Sequence, residues 1–149
     1  MILNIKAAVR SQIPEMLEAM RSSCGSSVFT EEYLEGCIDS ALLTAVITWD
    51  GTVRGVCVCG ASPIPDGCEI TALYIADGFK GRGLGRKLLS HALREMRAQR
   101  YRKAFLWIDE GNVPAVGFFR KFGFEPDGKR RQSAPEAEGS CEQRLRIDI

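Results

Sequence analysis

One histidine, His91, is all the chain has in 149 residues, and none of its six cysteines forms a C-x-x-C pair. Zinc sites are usually built from cysteine pairs two to four residues apart, so metal chemistry has little to stand on and no metal is expected. The cysteines fall at 24, 37, 57, 59, 68 and 141, and a chain of this length buries enough core to need no disulfide framework. Reduced, mostly buried thiols are the expectation. No stretch approaches the roughly 20 apolar residues of a membrane span, and Asn4 and Lys6 interrupt the apolar run a signal peptide would need. Internal repeats, low-complexity tracts and linker-like segments are also missing. With 45% hydrophobic and 26% charged residues, the composition is that of a soluble globule. It predicts one domain over residues 1–149, cytoplasmic and away from membranes, and excludes fibrous, disordered and transmembrane classes.

Net charge is nearly absent, at +1, but its distribution is uneven. Residues 1–79 carry 4 basic and 10 acidic side chains, residues 80–103 carry 9 basic against Glu95 alone, and residues 104–149 carry 7 against 8. The central block points to an anionic ligand, although a solvated basic helix face has the same composition. Nucleic acid is a poor candidate, because binding to it calls for aromatic or base-reading partners among the basic residues and only Tyr101 is present.

Hydrophobic periodicity divides the chain into short elements. Ile2–Val9 reads as a strand, with Ser11 expected to cap a helix through Ile13, Leu17 and Met20. Thr30 caps a second helix through Tyr33, Leu34, Cys37 and Ile38. Ala41–Trp49 and Thr52–Gly60 are β-rich runs joined by Asp50-Gly51, a strong hairpin signal. Cys57 and Cys59 share one face of the second run. A loop follows, then the strand Cys68–Ala76. A helix opening at Gly81–Gly85 has the apolar stripe Leu84, Leu88, Leu89, Ala92, Leu93 and Met96. Ala104–Ile108 is continuously apolar, as a strand buried on both faces is. Asn112 caps a helix that ends at Gly123. Arg130–Ser140 reads as a polar loop, and Cys141–Asp148 alternates as a final strand. The order β-α-α-β-β-β-α-β-α-β-β is that of a mixed α/β sheet with helices packed on it.

The chemistry concentrates in Lys80-Gly81-Arg82-Gly83-Leu84-Gly85-Arg86-Lys87. A helix starts here among glycines, with no Ser, Thr, Asp or Asn to cap it, so its first amide N–H groups lack a side-chain acceptor. Glycines let a bulky anion approach those amides, and the helix dipole favours negative charge there. The spacing is not that of a P-loop, G-x-x-x-x-G-K-[ST]. Nor is it a dinucleotide fingerprint, since Gly83-x-Gly85 is followed three residues on by Leu88 and the segment lies far from a first βαβ unit.

This segment resembles the Gln/Arg-x-x-Gly-x-Gly/Ala signature of the GNAT superfamily of acetyl-CoA-dependent N-acyltransferases, with Lys80 in place of Gln or Arg. Upstream, Glu69-Ile70-Thr71-Ala72-Leu73-Tyr74-Ile75 is similar to that family's fourth strand. Downstream, Asn112 to Phe124 resembles its Asn-x-x-Ala-x-x-Phe-Tyr-x-Lys-x-Gly-Phe run. The resemblance implies a mostly antiparallel sheet of six to seven strands with a central parallel pair and about four helices. It also implies acetyl-CoA as co-substrate. The pyrophosphate would sit on the turn from Lys80 through Gly81, Arg82, Gly83, Leu84 and Gly85 to Arg86. The pantetheine arm would pair with the strand backbone at Leu73, Tyr74 and Ile75. Asn112 and Phe119 would flank the thioester where the fourth and fifth strands splay apart.

The implied reaction is acetyl transfer to a primary amine of a small molecule or of a protein N-terminus. An amine with a lysine-like pKa near 10.4 is neutral only about once in 2,500 molecules at pH 7, so a base must take its proton. Glu69 stands at the position where several family members keep that base. A strand amide near Tyr74 would meet the oxyanion. Phe119 departs from the resemblance, standing where a tyrosine often protonates the leaving thiolate, and Tyr74 is the nearest substitute in sequence. The departure leaves a second reading, an acyl-CoA-binding regulatory module with little turnover. His91 reads as a solvated helix residue, Trp49 and Trp107 as strand core, and a homodimer fits family habit.

Overall fold

The computed structural model describes residues 1–24, 29–40, 43–132 and 141–149. Its sheet has seven strands: β1 Leu3–Ala7, β2 Leu43–Trp49, β3 Thr52–Ala61, β4 Gly67–Ile75, β5 Lys103–Asp109, β6 Glu125–Gln132 and β7 Cys141–Asp148. They lie in the order β1-β2-β3-β4-β5-β7-β6, antiparallel throughout except at the central β4–β5 pair. The α-helices among the described residues are α1 Ile13–Cys24, α2 Glu31–Ser40, α3 Leu84–Ala98 and α4 Val113–Phe122. This is the mixed α/β architecture that the element order predicts, and no helix among the described residues is long and apolar enough to cross a membrane.

Alternation along the strands splits the core in two. Val46, Val56, Val58 and Ala72 face α1 and α2, where they meet Ile13, Met16, Met20 and Leu34. Ala45, Cys57, Cys59, Ile70 and Leu106 face α3 and α4. All six residues of the expected α3 stripe are buried, because three to four apolar positions per two turns give a face wide enough to lie on a sheet. The described cysteines are free thiols, of which Cys57, Cys59 and Cys68 are buried and Cys37 and Cys141 partly so.

The turn chemistry follows the sequence at most ends. Asp50 and Gly51 both take positive φ, 50° and 88°, as a two-residue turn matching the strand twist requires. Thr30 Oγ1 accepts the Tyr33 N–H at 3.1 Å, Asn112 Oδ1 accepts the Ala115 N–H at 3.4 Å, and Gly123 ends α4 at φ 123°. Ser11 does not cap α1. A 3-10 turn, Arg10–Gln12, precedes the helix, and Gln12 Oε1 accepts the Val9 N–H at 3.0 Å; the longer amide side chain reaches back where the serine hydroxyl would not.

Two further expectations change. Arg130–Gln132 belongs to β6, pairing with Gln143–Cys141 on an exposed edge where ladder hydrogen bonds do not need an apolar pattern. The rest of that expected loop, residues 133–140, lies outside the described residues, as do Ala41 and Leu42 at the expected start of β2. Trp107 is only half-buried, whereas Ala104, Phe105, Leu106 and Ile108 are buried. Its face of β5 is covered by Arg131 rather than by a helix, the guanidinium carbon lying 4.3 Å from the ring centroid.

Candidate active site

β4 and β5 pair for only three positions, Gly67↔Lys103, Cys68↔Ala104 and Glu69↔Phe105. Gly67 makes the close start possible, since a Cβ there would come within 2.6 Å of the Phe105 ring. Beyond Glu69 the strands part. β4 stays paired with β3 as far as Ile75↔Gly55, and β5 with β7 as far as Asp109↔Glu142. The break coincides with a bulge at Thr71, where Val58 pairs with Ala72 but Cys59 already pairs with Ile70. Bulges bend a strand and often lie next to active sites. From Ile70 to Ile75 no strand among the described residues therefore pairs with the β5-facing edge of β4, and an open edge of this kind accepts an extended, amide-bearing chain. Leu73, Tyr74 and Ile75 lie on it, each half-buried.

The edge leads directly to the glycine turn. Gly78, Gly81 and Gly83 take φ of 86°, 78° and 80°, the left-handed region that glycine enters at little cost. Gly83 occupies the N-cap of α3 with no side-chain cap, and a Cβ at Gly81 or Gly83 would meet nothing within 4 Å. The amides of the first turn thus face open space at the positive end of a 15-residue helix. Lys80, Arg82 and Arg86 are exposed around them, while the Leu84 side chain is 1% exposed in the core, leaving only its backbone for a ligand. At Gly85 a Cβ would lie 3.5 Å from Phe118 of α4 and 3.6 Å from Ile75, so the helix start, the β4 edge and α4 converge there.

The turn is braced from the β2–β3 hairpin, an arrangement with no signal in the local sequence. Trp49 meets Phe79 edge-on at 5.5 Å, Arg54 stacks on Phe79 at 4.4 Å, and Arg82 lies 5.3 Å from Trp49 and 5.5 Å from Phe79. Arg54 Nε is buried without a hydrogen-bond partner, and neither arginine has an ion pair among the described residues. Trp49 is half-buried, packed against the α3-side core as expected, and at the same time a platform for cations.

Glu69 lies on the α1/α2 side of the gap. Burial pushes its carboxyl above the ordinary range, Arg131 and Arg144 pull it down, and Glu142 adds to the rise. Phe29 joins the rings of Tyr33 and Tyr74 on the same side, with centroids 5.5 and 5.4 Å from its own, and burial also raises the Tyr33 phenol. Phe119 is in the other layer, 8% exposed between Phe118 and Phe124 at 5.1 and 5.5 Å. Tyr74 and Phe119 thus occupy opposite faces of the sheet. Asn112 is exposed, its side chain engaged in capping α4, and His91 is half-buried along α3, away from the turn.

A model of the GNAT acetyltransferase family matches residues 10–124. A Bacillus subtilis protein, provisionally named a ribosomal protein bS18-alanine N-acetyltransferase, is 30% identical over 135 residues, 87% of this chain and 87% of that protein. A mycothiol acetyltransferase from Corynebacterium glutamicum is 40% identical over 60 residues, and the match spans 40% of this chain but only 20% of that longer protein. In structure, the ribosomal-protein-S18-alanine N-acetyltransferase of Escherichia coli superimposes with a TM-score of 0.86 over 99% of this chain and 94% of its own, at 16% identity. An acetyltransferase solved with coenzyme A, from Thermoplasma acidophilum, shares the fold with a TM-score of 0.77 at 18% identity, covering 100% of each chain. With a parted parallel pair and an uncapped glycine turn in one fold, and the family matched across most of its length, this chain is a member of the GNAT acetyltransferase family.

Proposed function

We propose that residues 1–149 act as one catalytic domain that moves the acetyl group of acetyl-CoA directly to a primary amine. The observation that carries this reading is the continuity of the β4 edge with the glycine turn. One extended ligand with amides along its arm and a pyrophosphate at its end meets both. The amides of Arg82 to Arg86 hold the pyrophosphate, and the backbone of Leu73, Tyr74 and Ile75 pairs with the arm. The thioester then reaches the gap beside Glu69, with Phe119 and the start of α4 at Asn112 on the far side.

In the reaction, Glu69 accepts a proton from the ammonium group, directly or through water. The amine lone pair then attacks the thioester carbonyl carbon. The C–N bond forms, a β4 amide near Tyr74 stabilises the oxyanion, the adduct nitrogen releases its second proton to water, and the C–S bond breaks as the carbonyl returns. A thiol pKa near 8.5 makes the thiolate a tolerable leaving group. With Phe119 unable to donate, we assign its proton to the Tyr74 phenol, and Tyr74→Phe is the test: kcat falls if the assignment holds and stays constant if water serves.

Several relatives are named for protein amines or for small molecules, and both classes are acceptors a gap open on the α1/α2 side would admit. Calorimetric titration of acetyl-CoA, followed by thiol release across a panel of amines, tests the whole reading. Binding with turnover is expected. Binding without turnover on any amine would favour a sensor of acyl-CoA, and failure to bind would remove the glycine turn from its role.

A further inference from the structure

Phe105 is the strand partner of Glu69, and the side chains that alternate with the buried Ala104, Leu106 and Ile108 place Phe105 and Trp107 on Glu69's face. Two guanidiniums lie over these rings. The Arg144 carbon is 5.5 Å from the Phe105 centroid and 5.8 Å from that of Trp107, and the Arg131 carbon is 4.3 Å from Trp107. Among the described residues each arginine is held through Nε, Arg131 by Glu142 at 2.8 Å and Arg144 by Asp127 at 2.5 Å. Neighbouring Arg130 differs, because Glu110 takes both its Nε and its Nη2. Among the described residues no carboxylate hydrogen-bonds the terminal nitrogens of Arg131 or Arg144. A guanidinium is a planar fork of five donors, so one edge can be fixed while the other receives a second carboxylate.

We propose that Arg131 and Arg144 form a carboxylate receptor beside Glu69, and that the acceptor is a free α-amino acid whose amino group lies at Glu69 and whose carboxylate lies on the two guanidiniums. This deepens the acetyltransferase reading and rests on it. Glu69 and Arg144 rise from strands separated by β5 and are offset by two residues in register (Glu69↔Phe105↔Arg146), about 12 Å apart at the backbone. The Arg144 guanidinium reaches back over the Phe105 ring, the strand partner of Glu69, and an α-amino acid bridges the two groups with one charge-assisted contact of about 2.8 Å at either end. Glu142 and Asp127 offset the two arginines, which leaves Glu69 as the unbalanced charge for the ammonium group. A polyamine would bring its second ammonium against two guanidiniums, and a peptide N-terminus would bring a neutral carbonyl, which accepts a hydrogen bond but loses the charge-assisted contact a carboxylate makes. The rings of Phe29, Tyr33 and Tyr74 lie on the same side of the sheet and suit an apolar side chain.

The test uses the full chain with saturating acetyl-CoA and compares thiol release for the twenty common amino acids, their amides, a peptide with N-terminal leucine, and spermidine. An apolar amino acid is expected to exceed its own amide at least tenfold in kcat/KM. Arg131→Gln, at a site about half exposed, is expected to erase that preference by raising KM for the acid while acetyl-CoA affinity holds and kcat holds above the acidic limb of the pH–rate profile, a limb that moves up because Arg131 no longer lowers the Glu69 carboxyl; Arg131→Lys should rescue it in part. Thermal melts of both variants should match the parent. Equal use of the amide, preference for the peptide or spermidine, or no turnover of any amino acid while acetyl-CoA binds would overturn the receptor and leave the cofactor site standing. A chain that fails to bind acetyl-CoA would overturn both.

Discussion

Glu69 shows how one residue can trade stability for chemistry. Burial raises its carboxyl pKa more than Arg131 and Arg144 lower it, so the folded chain holds the proton more tightly than the unfolded chain does. Its contribution is therefore favourable at low pH and is lost as pH rises through the raised value, whereas a base works only once ionised. Glu69→Gln should lower kcat by about 10² to 10⁴ near neutrality and abolish the acidic limb of the pH–rate profile. The same variant should melt no lower than the parent at pH 7, with the difference fading toward pH 4. An unchanged pH profile would take the residue out of the reaction.

At the scale of elements, the entrance of α3 and the β2–β3 hairpin work together. Gly83 sits at φ 80° with open space where a Cβ would go. Gly83→Asp therefore incurs mainly the left-handed backbone penalty, about 1–2 kcal/mol, and places a carboxylate where the pyrophosphate would bind. Calorimetry should show acetyl-CoA affinity falling at least tenfold while circular dichroism shows a folded protein. Across the hairpin, Trp49 and Phe79 hold Arg82 by an edge-on ring contact and two cation–π contacts, interactions worth about 0.5–1.5 kcal/mol each. Trp49→Leu should weaken acetyl-CoA binding several-fold and leave kcat at saturation where it was. Equal loss of kcat would mean the hairpin supports the fold at large and not the turn.

For the whole molecule, the decisive feature is a sheet joined at one end of its central pair and open at the other. The α3 stripe holds that shape, and Leu88, fully buried against the sheet, is its middle. Leu88→Ala should cost about 2–5 kcal/mol, read from chemical denaturation. A ligand that lies along the β4 edge and touches α3 and α4 binds only the folded chain. At a hundred times its Kd, acetyl-CoA should add about 2.7 kcal/mol and raise Tm by several degrees; Gly83→Asp should remove that rise. A rise of equal size in the variant would mean that the cofactor binds elsewhere.

Much of this was written locally. The α3 stripe, the Asp50-Gly51 hairpin and the caps at Thr30 and Asn112 rest on contacts within a few residues, where periodicity and turn chemistry act directly, and the uncapped glycine start of α3 is read the same way. The misreadings arose where a neighbour decided. A 3-10 turn closed by Gln12 onto Val9 stands where Ser11 was expected to cap α1, Arg130–Gln132 gained a strand from β7, and Trp107 gained an arginine instead of a helix. The bracing of Arg82 by Trp49, and the gathering of Arg131 and Arg144 beside Glu69 on one face, join positions 33, 62 and 75 residues apart in sequence. Such meetings depend on strand order and register, which no local pattern encodes. The sequence by itself determined the elements, the family and the uncapped glycine turn; tertiary packing alone decided which charges face Glu69, because only the folded sheet brings β4, β6 and β7 within reach of one another.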